Sequence, residues 1–263
     1  MIANILLAFS SLIPIERFSL LVDPQIRSTY ISLGKVLEDR PMQITHVNAA
    51  FDLDPFGKIG IYNWNVSSLT GRRQDVHRRA LYHTEYGPYW NYDLELAPDW
   101  YLHSGVLTCW TVYDGFKTDG ANKCYWWTQF EQSLENPCLT PYYRLRRCTA
   151  GSDYFYARLG IRRRFGLWRG LYFFSDLSLE GGNERNQNRI FGKGADGTSV
   201  GDGFYTLTPH FELGYSFSAY FTLYAWVEQY EVLGSARTVN AEYSYLCAHN
   251  DWTLGGIGLR CNF

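Results

Sequence analysis

The sequence predicts an all-β fold, a single closed antiparallel transmembrane β-barrel of about twelve strands, with about ten to fourteen as the range. Apolar residues alternate with polar or small ones over segment after segment, which is the period of a strand with two different faces. Aromatic residues make up 17% of the chain, with 21 Tyr, 16 Phe and 9 Trp against only two Met. This composition is typical of strands rather than helices. Short connections also alternate with long ones, as expected for a barrel with turns at one rim and loops at the other.

Length, charge and hydropathy are compatible with one barrel. The chain has 263 residues, a net charge of -2 and a mean hydropathy of -0.26. A barrel strand presents only every second residue to lipid, so a negative mean is expected. The near-neutral charge gives no reason to expect a nucleic-acid partner.

The first fifteen residues form an apolar stretch that is too short for a spanning helix, which needs roughly 18 to 20 residues. No Lys or Arg precedes Arg17, so the basic start of a secretory signal is missing. Two interpretations of residues 1–15 stay open: a remnant of a signal peptide, or an apolar segment that packs on the fold. We expect the barrel within residues 16–263.

The strand pattern is clearest in residues 84–97. Tyr86, Trp90 and Leu94 fall on one face of this segment, whereas Asp93 and Glu95 fall on the other. About ten residues at roughly 3.3 Å each, tilted by about 40°, cover the apolar band of about 25 Å. The predicted strands are 20–33, 43–52, 58–67, 84–97, 101–113, 125–134, 139–147, 153–164, 170–180, 204–216, 219–233 and 251–263.

The longest connections should lie at one rim. They span residues 68–82, 181–203 and 234–246. The stretch 181–203 is rich in Gly, Asn and Asp and has no apolar period, so we expect an exposed and mobile loop there.

The C-terminal segment carries the first family resemblance. Residues 252–263 read WTLGGIGLRCNF, with Ile257, Leu259 and Phe263 on one face. The segment resembles the last strand of outer-membrane proteins of Gram-negative bacteria, whose barrel-assembly machinery recognises a final Phe and alternating apolar residues before it. The resemblance implies an assembly signal at these three residues. It also implies location in the bacterial outer membrane, with membrane lipid and the assembly machinery as partners.

A second resemblance covers residues 30–64. This stretch is similar to the first hairpins of small porins, and the segments LTPYYRLR (139–146) and SDYFYARLGIRRRF (152–165) have a similar rhythm. It implies a porin-like protein, either a passive diffusion channel for small solutes or a structural barrel of the envelope.

Alternation places charges of both signs in the lumen. A twelve-strand barrel is wider than the eight-strand kind that side chains fill, but narrower than open porins of 16 to 18 strands, so a narrow selective channel is the expected function. The arginines between residues 144 and 164 would form a basic wall opposite the acidic one. The candidate selectivity residues are Asp93, Glu95, Glu131, Arg158, Arg162, His210 and Glu212.

Two alternatives stay open. One is an outer-membrane barrel enzyme of the lipid hydrolase or acyltransferase type, which needs Ser or Cys beside His. Ser104 and His103 are adjacent and therefore face opposite sides, and His210 shares a face with Glu212 but with no nucleophile, so we predict no catalytic residue. The other is a soluble carbohydrate-binding β-sandwich, whose strands would be shorter, at about 5 to 6 residues.

Six cysteines permit disulfides in an oxidising compartment. The predicted topology brings Cys124 near both Cys148 and Cys109, either of which could staple an external loop, and the pairing is left open. The histidines lack metal-ligand spacing and no C-x-x-C pair occurs, so we expect no metal and no cofactor.

Overall fold

Twelve antiparallel strands close into one barrel in the computed structural model, which describes residues 18–32, 35–38, 41–69, 82–114, 123–148, 154–191, 193, 197–243 and 251–263. Each barrel strand pairs with its neighbours along the chain, and the first strand closes the barrel against the last. The predicted fold class is confirmed. The barrel strands are β1 (Phe18–Arg27), β4 (Met42–Asp52), β5 (Lys58–Ser68), β6 (Tyr82–Ala97), β7 (Trp100–Asp114), β8 (Lys123–Glu135), β9 (Thr140–Cys148), β10 (Phe155–Trp168), β11 (Leu171–Gly182), β12 (Gly203–Ser216), β13 (Phe221–Val232) and β14 (Asp251–Asn262).

A hairpin and two helices outside the barrel correct the sequence-based expectations. The predicted first strand is too long, because β1 ends at Arg27 and a separate hairpin follows, β2 (Tyr30–Ser32) with β3 (Lys35–Glu38). Two helices occupy the long connections, α1 (Glu184–Phe191) and α2 (Gly234–Tyr243). Neither of them is long and apolar enough to cross a membrane.

The stretch 181–203 is more ordered than its composition suggests. Phe191 and Val200 are buried with Val232 of β13 and with Ala236 and Val239 of α2. The expectation of an exposed loop is wrong for the part around Phe191 and Val200, because these apolar residues find partners on a connection distant in sequence. The two helices therefore pack against each other above β10–β12.

The rim that carries both described chain ends also carries the short turns. Asp99 adopts a positive φ of 65° in the turn between β6 and β7. In the turn before β9, the Asn136 side chain accepts hydrogen bonds from the backbone N–H groups of Cys138 and Leu139 at 2.9 and 3.1 Å. Outer-membrane barrels place short turns in the periplasm and long loops outside the cell, and we use these names for the two rims.

The C-terminal residue completes the barrel seam. The backbone N–H of Leu20 donates to the Phe263 carbonyl at 2.7 Å, and the N–H of Phe263 donates to the Leu20 carbonyl at 2.8 Å. The Phe263 ring stacks on Tyr220 with centroids 6.3 Å apart. Ile257, Leu259 and Phe263 all present exposed side chains to the outside. Their role as an assembly signal stays a prediction.

The two faces of the wall differ as the alternation predicts. Large apolar side chains such as Leu159, Ile161, Leu213 and Leu223 are exposed on the outside. Charged side chains occupy the intervening positions and face inward. The soluble sandwich is therefore wrong, because one closed sheet with an apolar outside needs lipid around it. Residues 1–15 lie outside the described residues.

Candidate functional site: the charged lumen

All seven predicted selectivity residues lie at inward positions of the wall. Register places Arg158 opposite Arg144 and Glu180, and Arg162 opposite Asp176. Asp93 of β6 lies opposite His103 of β7. On the next strand, β8, Glu131 lies opposite Arg144 of β9. Six of the seven make a hydrogen bond or an ion pair with another lumen side chain. Glu95 is exposed near the periplasmic rim.

A first group, the central network, crosses β8 to β11. Arg144 binds Glu131 through both Nε and Nη2 at 2.7 Å, and Arg162 Nη1 lies 3.3 Å from the second oxygen of Glu131. Such charge-assisted pairs are stronger than neutral hydrogen bonds. One strand further, Arg158 lies 3.7 Å from Asp176 and 3.4 Å from Glu180. The central network consists of Glu131, Arg144, Arg158, Arg162, Asp176 and Glu180.

A second group, the seam network, joins the last strands to the first. Arg260 lies 3.6 Å from Asp23 and 3.7 Å from Glu212. The hydroxyl of Tyr224 donates to Asp23 at 2.5 Å, and that of Tyr172 donates to Glu212 at 2.6 Å. The carboxylates of this network are thus each held by one arginine and one tyrosine.

Tyrosine rings reach these carboxylates because glycines lie beneath them. A Cβ at Gly258 would overlap the Tyr224 ring, and a Cβ at Gly214 would overlap the Tyr172 ring. The same holds for Gly160 under Tyr142, whose hydroxyl donates to Asp176 at 2.9 Å. Each ring lies over a glycine of the neighbouring strand, where no side chain projects. The ring therefore lies against the barrel wall and stays out of the lumen centre.

His210 has a different partner from the one its sequence suggests. Its Nδ1 lies 3.1 Å from Glu228 of β13, whereas Glu212 is bound to Tyr172 and Arg260. His210 and Glu212 are therefore not paired with each other, because the cross-strand neighbour is closer than a residue two positions along the same strand. His210 also stacks on Trp226, with ring centroids 5.6 Å apart.

Fewer arginines face the lumen than the sequence predicts. Arg144, Arg146, Arg158, Arg162 and Arg164 face the lumen. Arg147 and Arg163 alternate with them and point outward along the strands, and Arg163 borders only the periplasmic mouth, where it donates to the Pro137 carbonyl. The predicted basic wall therefore has five members.

The opposite side of the lumen, on β5–β7, carries few ion pairs. Asp93 accepts a hydrogen bond from His103 Nδ1 at 2.8 Å, and His103 Nε2 lies 3.0 Å from Glu135. A cavity of about 410 Å³ opens here, lined among others by Tyr62, Tyr89, Asn91, Asp93, Gln129, Glu131 and Arg162.

A second cavity, of about 490 Å³, lies at the periplasmic mouth. Its lining includes Tyr101, Glu135, Arg162, Arg164 and Phe174. Arg162 borders both cavities, so its side chain lies between the periplasmic mouth and the cavity on the opposite side of the lumen.

At the external rim the connection after β11 is held by polar contacts. Glu184 starts α1, and its carboxylate accepts hydrogen bonds from Ser199 at 2.5 Å and Asn188 at 3.5 Å. These hydrogen bonds lower the pKa of Glu184, with Ser199 as the larger cause. Inside the connection, Gln187 donates to the carbonyls of Gly182 and Gly203, which ties α1 to the ends of β11 and β12.

Cys109 forms no disulfide to an external loop. Its thiol is free and fully buried beside Trp127, with Cys148 on the far side of the same ring. The side chain of Cys124 is outside the described residues, so its pairing with Cys148 stays a prediction. Within the described residues no group of three His, Cys, Asp or Glu side chains is placed to hold a metal ion.

The chain resembles known proteins in its fold. No family model and no curated protein matches the chain. The outer-membrane channel COG4313 from Pseudomonas putida F1 superposes with a TM-score of 0.59, at 12% identity, over 94% of this chain and 95% of that one. The fold is that of bacterial outer-membrane β-barrels, channels among them.

Two further solved structures extend the comparison. LpxR from Salmonella typhimurium matches with a TM-score of 0.50 at 12% identity, over 92% of this chain and 99% of LpxR. The KdgM porin matches less well, with a TM-score of 0.47 at 10% identity, over 93% of this chain and 99% of the porin.

Sequence reasoning missed the residues that organise the seam network. Asp23 and Arg260 lie in the first and last barrel strands, and Tyr224 is 201 residues from the carboxylate it binds. The pattern that could have found them is an inward Tyr beside an inward Gly on the next strand, as for Tyr224 and Gly258. This pattern is readable only once the register is known.

Proposed function

We propose that this protein is a porin-like channel of the bacterial outer membrane through which small hydrophilic solutes diffuse passively. The observation that carries the proposal is the pair of cavities that meet at Arg162, inside a closed barrel whose lumen is lined by charges. Charged side chains in a water-filled path select solutes by their field.

Selectivity is expected to depend on three of the predicted residues more than on the others. Glu131, Arg158 and Glu212 are neutralised by their partners, so their fields largely cancel. Asp93 and Glu95 have no cationic Lys or Arg within salt-bridge distance in the described part of the chain. We therefore assign the preference of the pore for cations to Asp93 and Glu95. The positive charge of Arg162 opposes this preference.

Planar-bilayer conductance of the refolded protein tests the proposal. A change in gel mobility on heating first establishes that a barrel has formed. Discrete conductance steps are the expected result, and a folded barrel that never conducts would replace the channel by a structural barrel of the envelope.

Two arginine variants then test the lumen assignment. Arg162→Ala removes a positive charge at the junction of the cavities, so the reversal potential in a salt gradient should shift toward cation preference. Arg147→Ala removes the same charge from the outer face and should leave the reversal potential unchanged. Equal shifts in both variants would contradict the assignment of Arg162.

We also propose that the barrel is not an enzyme. Among the described side chains, His46 binds Asn48, His103 binds Asp93 and Glu135, and His210 binds Glu228. Within the described residues, none of these three histidines is hydrogen-bonded to a Ser or a Cys, so each lacks the nucleophile that acyl transfer needs. Release of fatty acid from lipid vesicles by the refolded protein would contradict this.

A further inference from the structure

The apolar outer surface of the barrel is interrupted by six outward polar residues on β4–β6, in addition to the outward pairs Ser104–Gln132 and Thr108–Thr128 of β7 and β8. On β12 the outward residues are apolar or aromatic along the strand: Leu207, Pro209, Phe211, Leu213 and Tyr215. On β5 only Ile59 and Ile61 follow this rule, and the next outward residues are Asn63, Asn65 and Ser67.

Neighbouring strands extend this interruption into a patch. Register places Asn65 between Thr45 of β4 and Thr84 of β6, and places Ser67 beside Gln43. We call these outward residues the polar patch: Gln43, Thr45, Asn63, Asn65, Ser67 and Thr84. The patch contains no charged side chain.

The polar patch reaches deep into the membrane. Asn63 is five residues beyond Lys58, where β5 begins. At about 3.3 Å per residue and a tilt of about 40°, it lies roughly 13 Å above that end, near the middle of an apolar band of about 25 Å. Lipid headgroups do not reach this depth, so acyl chains would surround Asn63 in an isolated barrel.

The hydrogen bonds of the patch end in an unused donor. Thr84 Oγ1 donates to Asn65 Oδ1 at 2.7 Å, and Asn65 Nδ2 donates to Asn63 Oδ1. Asn63 Nδ2 has no hydrogen-bond acceptor within the described residues. A polar group without a partner in hydrocarbon costs free energy, so this amide calls for an acceptor supplied from outside the barrel.

We propose that the polar patch binds the same patch of a second copy of this chain, which gives a dimer in the membrane. A carboxamide is donor and acceptor at once, so two patches related by a twofold axis can satisfy each other. The unused Asn63 amide of one copy finds an amide or hydroxyl oxygen of the other. The lack of charge in the patch fits a like partner, and polar side chains commonly join membrane segments in this way.

Photo-crosslinking in outer membranes tests this inference. A benzophenone amino acid at Thr45, inside the patch, should give a product at twice the chain mass of 30.5 kDa. The same probe at Leu213, on the apolar wall of β12, should give none. Adducts of lipid alone at Thr45, or a product of another mass, would overturn the proposal.

A double variant separates the contact from folding. Asn63→Leu with Asn65→Leu should lower the dimer yield by about tenfold, because the amide hydrogen bonds across the interface are lost. The matched control Leu223→Ala changes an outward residue of β13 and should leave the yield unchanged. Retained heat-modifiable mobility shows that each variant still forms a barrel. An undiminished dimer yield in the double variant would contradict the role of the polar patch. The dimer yield is measured without conductance, so this test can fail or succeed independently of the proposed channel function.

Discussion

The two sides of the lumen use inward charges in opposite ways. On β8–β12 nearly every carboxylate is bound by an arginine or a tyrosine, as Asp176 is by Arg158 and Tyr142. On β5–β7 the carboxylates of Asp93 and Glu95 are more exposed and lie near a cavity or the rim. We call these sides the paired wall and the open wall. A charge inside this barrel therefore contributes to stability or to solute selectivity according to whether its neighbours neutralise it.

The reason lies in how side chains reach across strands. On the paired wall, glycines such as Gly160 and Gly214 leave room for tyrosine rings to lie flat and bind carboxylates one or two strands away. On the open wall, Gly60 accommodates Tyr89, but that ring borders the cavity instead of binding a carboxylate. The paired wall is therefore expected to contribute stability, and the open wall to contribute selectivity.

The largest expected effect is the loss of Arg158 from the paired wall. Arg158→Met removes the cation between Asp176 and Glu180 and leaves two largely buried carboxylates without it. Breaking a buried pair costs about 3 to 5 kcal/mol, so the free energy of unfolding should fall by that amount. Tryptophan fluorescence in a denaturant titration of the lipid-embedded barrel measures it. Asp93→Asn on the open wall is the matched control and should cost less than about 1 kcal/mol. Equal losses would remove the distinction between the walls.

A smaller loss is expected where a glycine accommodates a ring. Gly258→Val would displace the Tyr224 ring and separate its hydroxyl from Asp23, at a cost of about 1 to 3 kcal/mol. Gly166→Val is the control, since a Cβ there meets nothing within 4 Å and valine suits a strand. The temperature at which gel mobility shifts should fall only for Gly258→Val. Equal shift temperatures in both variants would show that Gly258 does not stabilise the barrel by accommodating the Tyr224 ring.

The smallest effect concerns the open wall and should appear in selectivity rather than stability. Asp93→Asn with Glu95→Gln removes two negative charges from the solute path. One charge about 7 Å from a passing ion in water contributes about 0.6 kcal/mol, a factor of about 2 to 3 in permeability. The cation-over-anion ratio from reversal potentials should drop accordingly. Asp251→Asn, at the external end of β14, should not change it. An unchanged ratio in the double variant would exclude the open wall from selectivity.

Much of the fold is readable from alternation alone. All twelve predicted strands overlap barrel strands, and most bounds agree within a few residues. The failures have a physical cause. The predicted first strand runs past Arg27 because the hairpin that follows is also extended. The sequence does not reveal α1, because much of the burial of Phe191 and Val200 comes from α2 and β13, which lie some 30 or more residues further along the chain.

The site divides in the same way. Alternation determines that Arg158, Arg162 and Glu131 face inward, since the strand period of two leaves no other choice once one face meets lipid. It cannot determine that Arg162 binds Glu131 across two strands, or that His210 pairs with Glu228 rather than Glu212, because those partners depend on register and barrel closure.

The sequence by itself determined a closed barrel, most of its strand positions and most of the side chains that face the lumen, because strand periodicity and an apolar outer face are local properties. Only the tertiary structure decided which charges are neutralised and where the outer surface loses its apolar character. Asp23, Tyr224 and Arg260 come together through closure of β1 on β14, and the polar patch exists only where β4, β5 and β6 align their polar residues. Contacts between distant strands are set by register, which no single segment encodes.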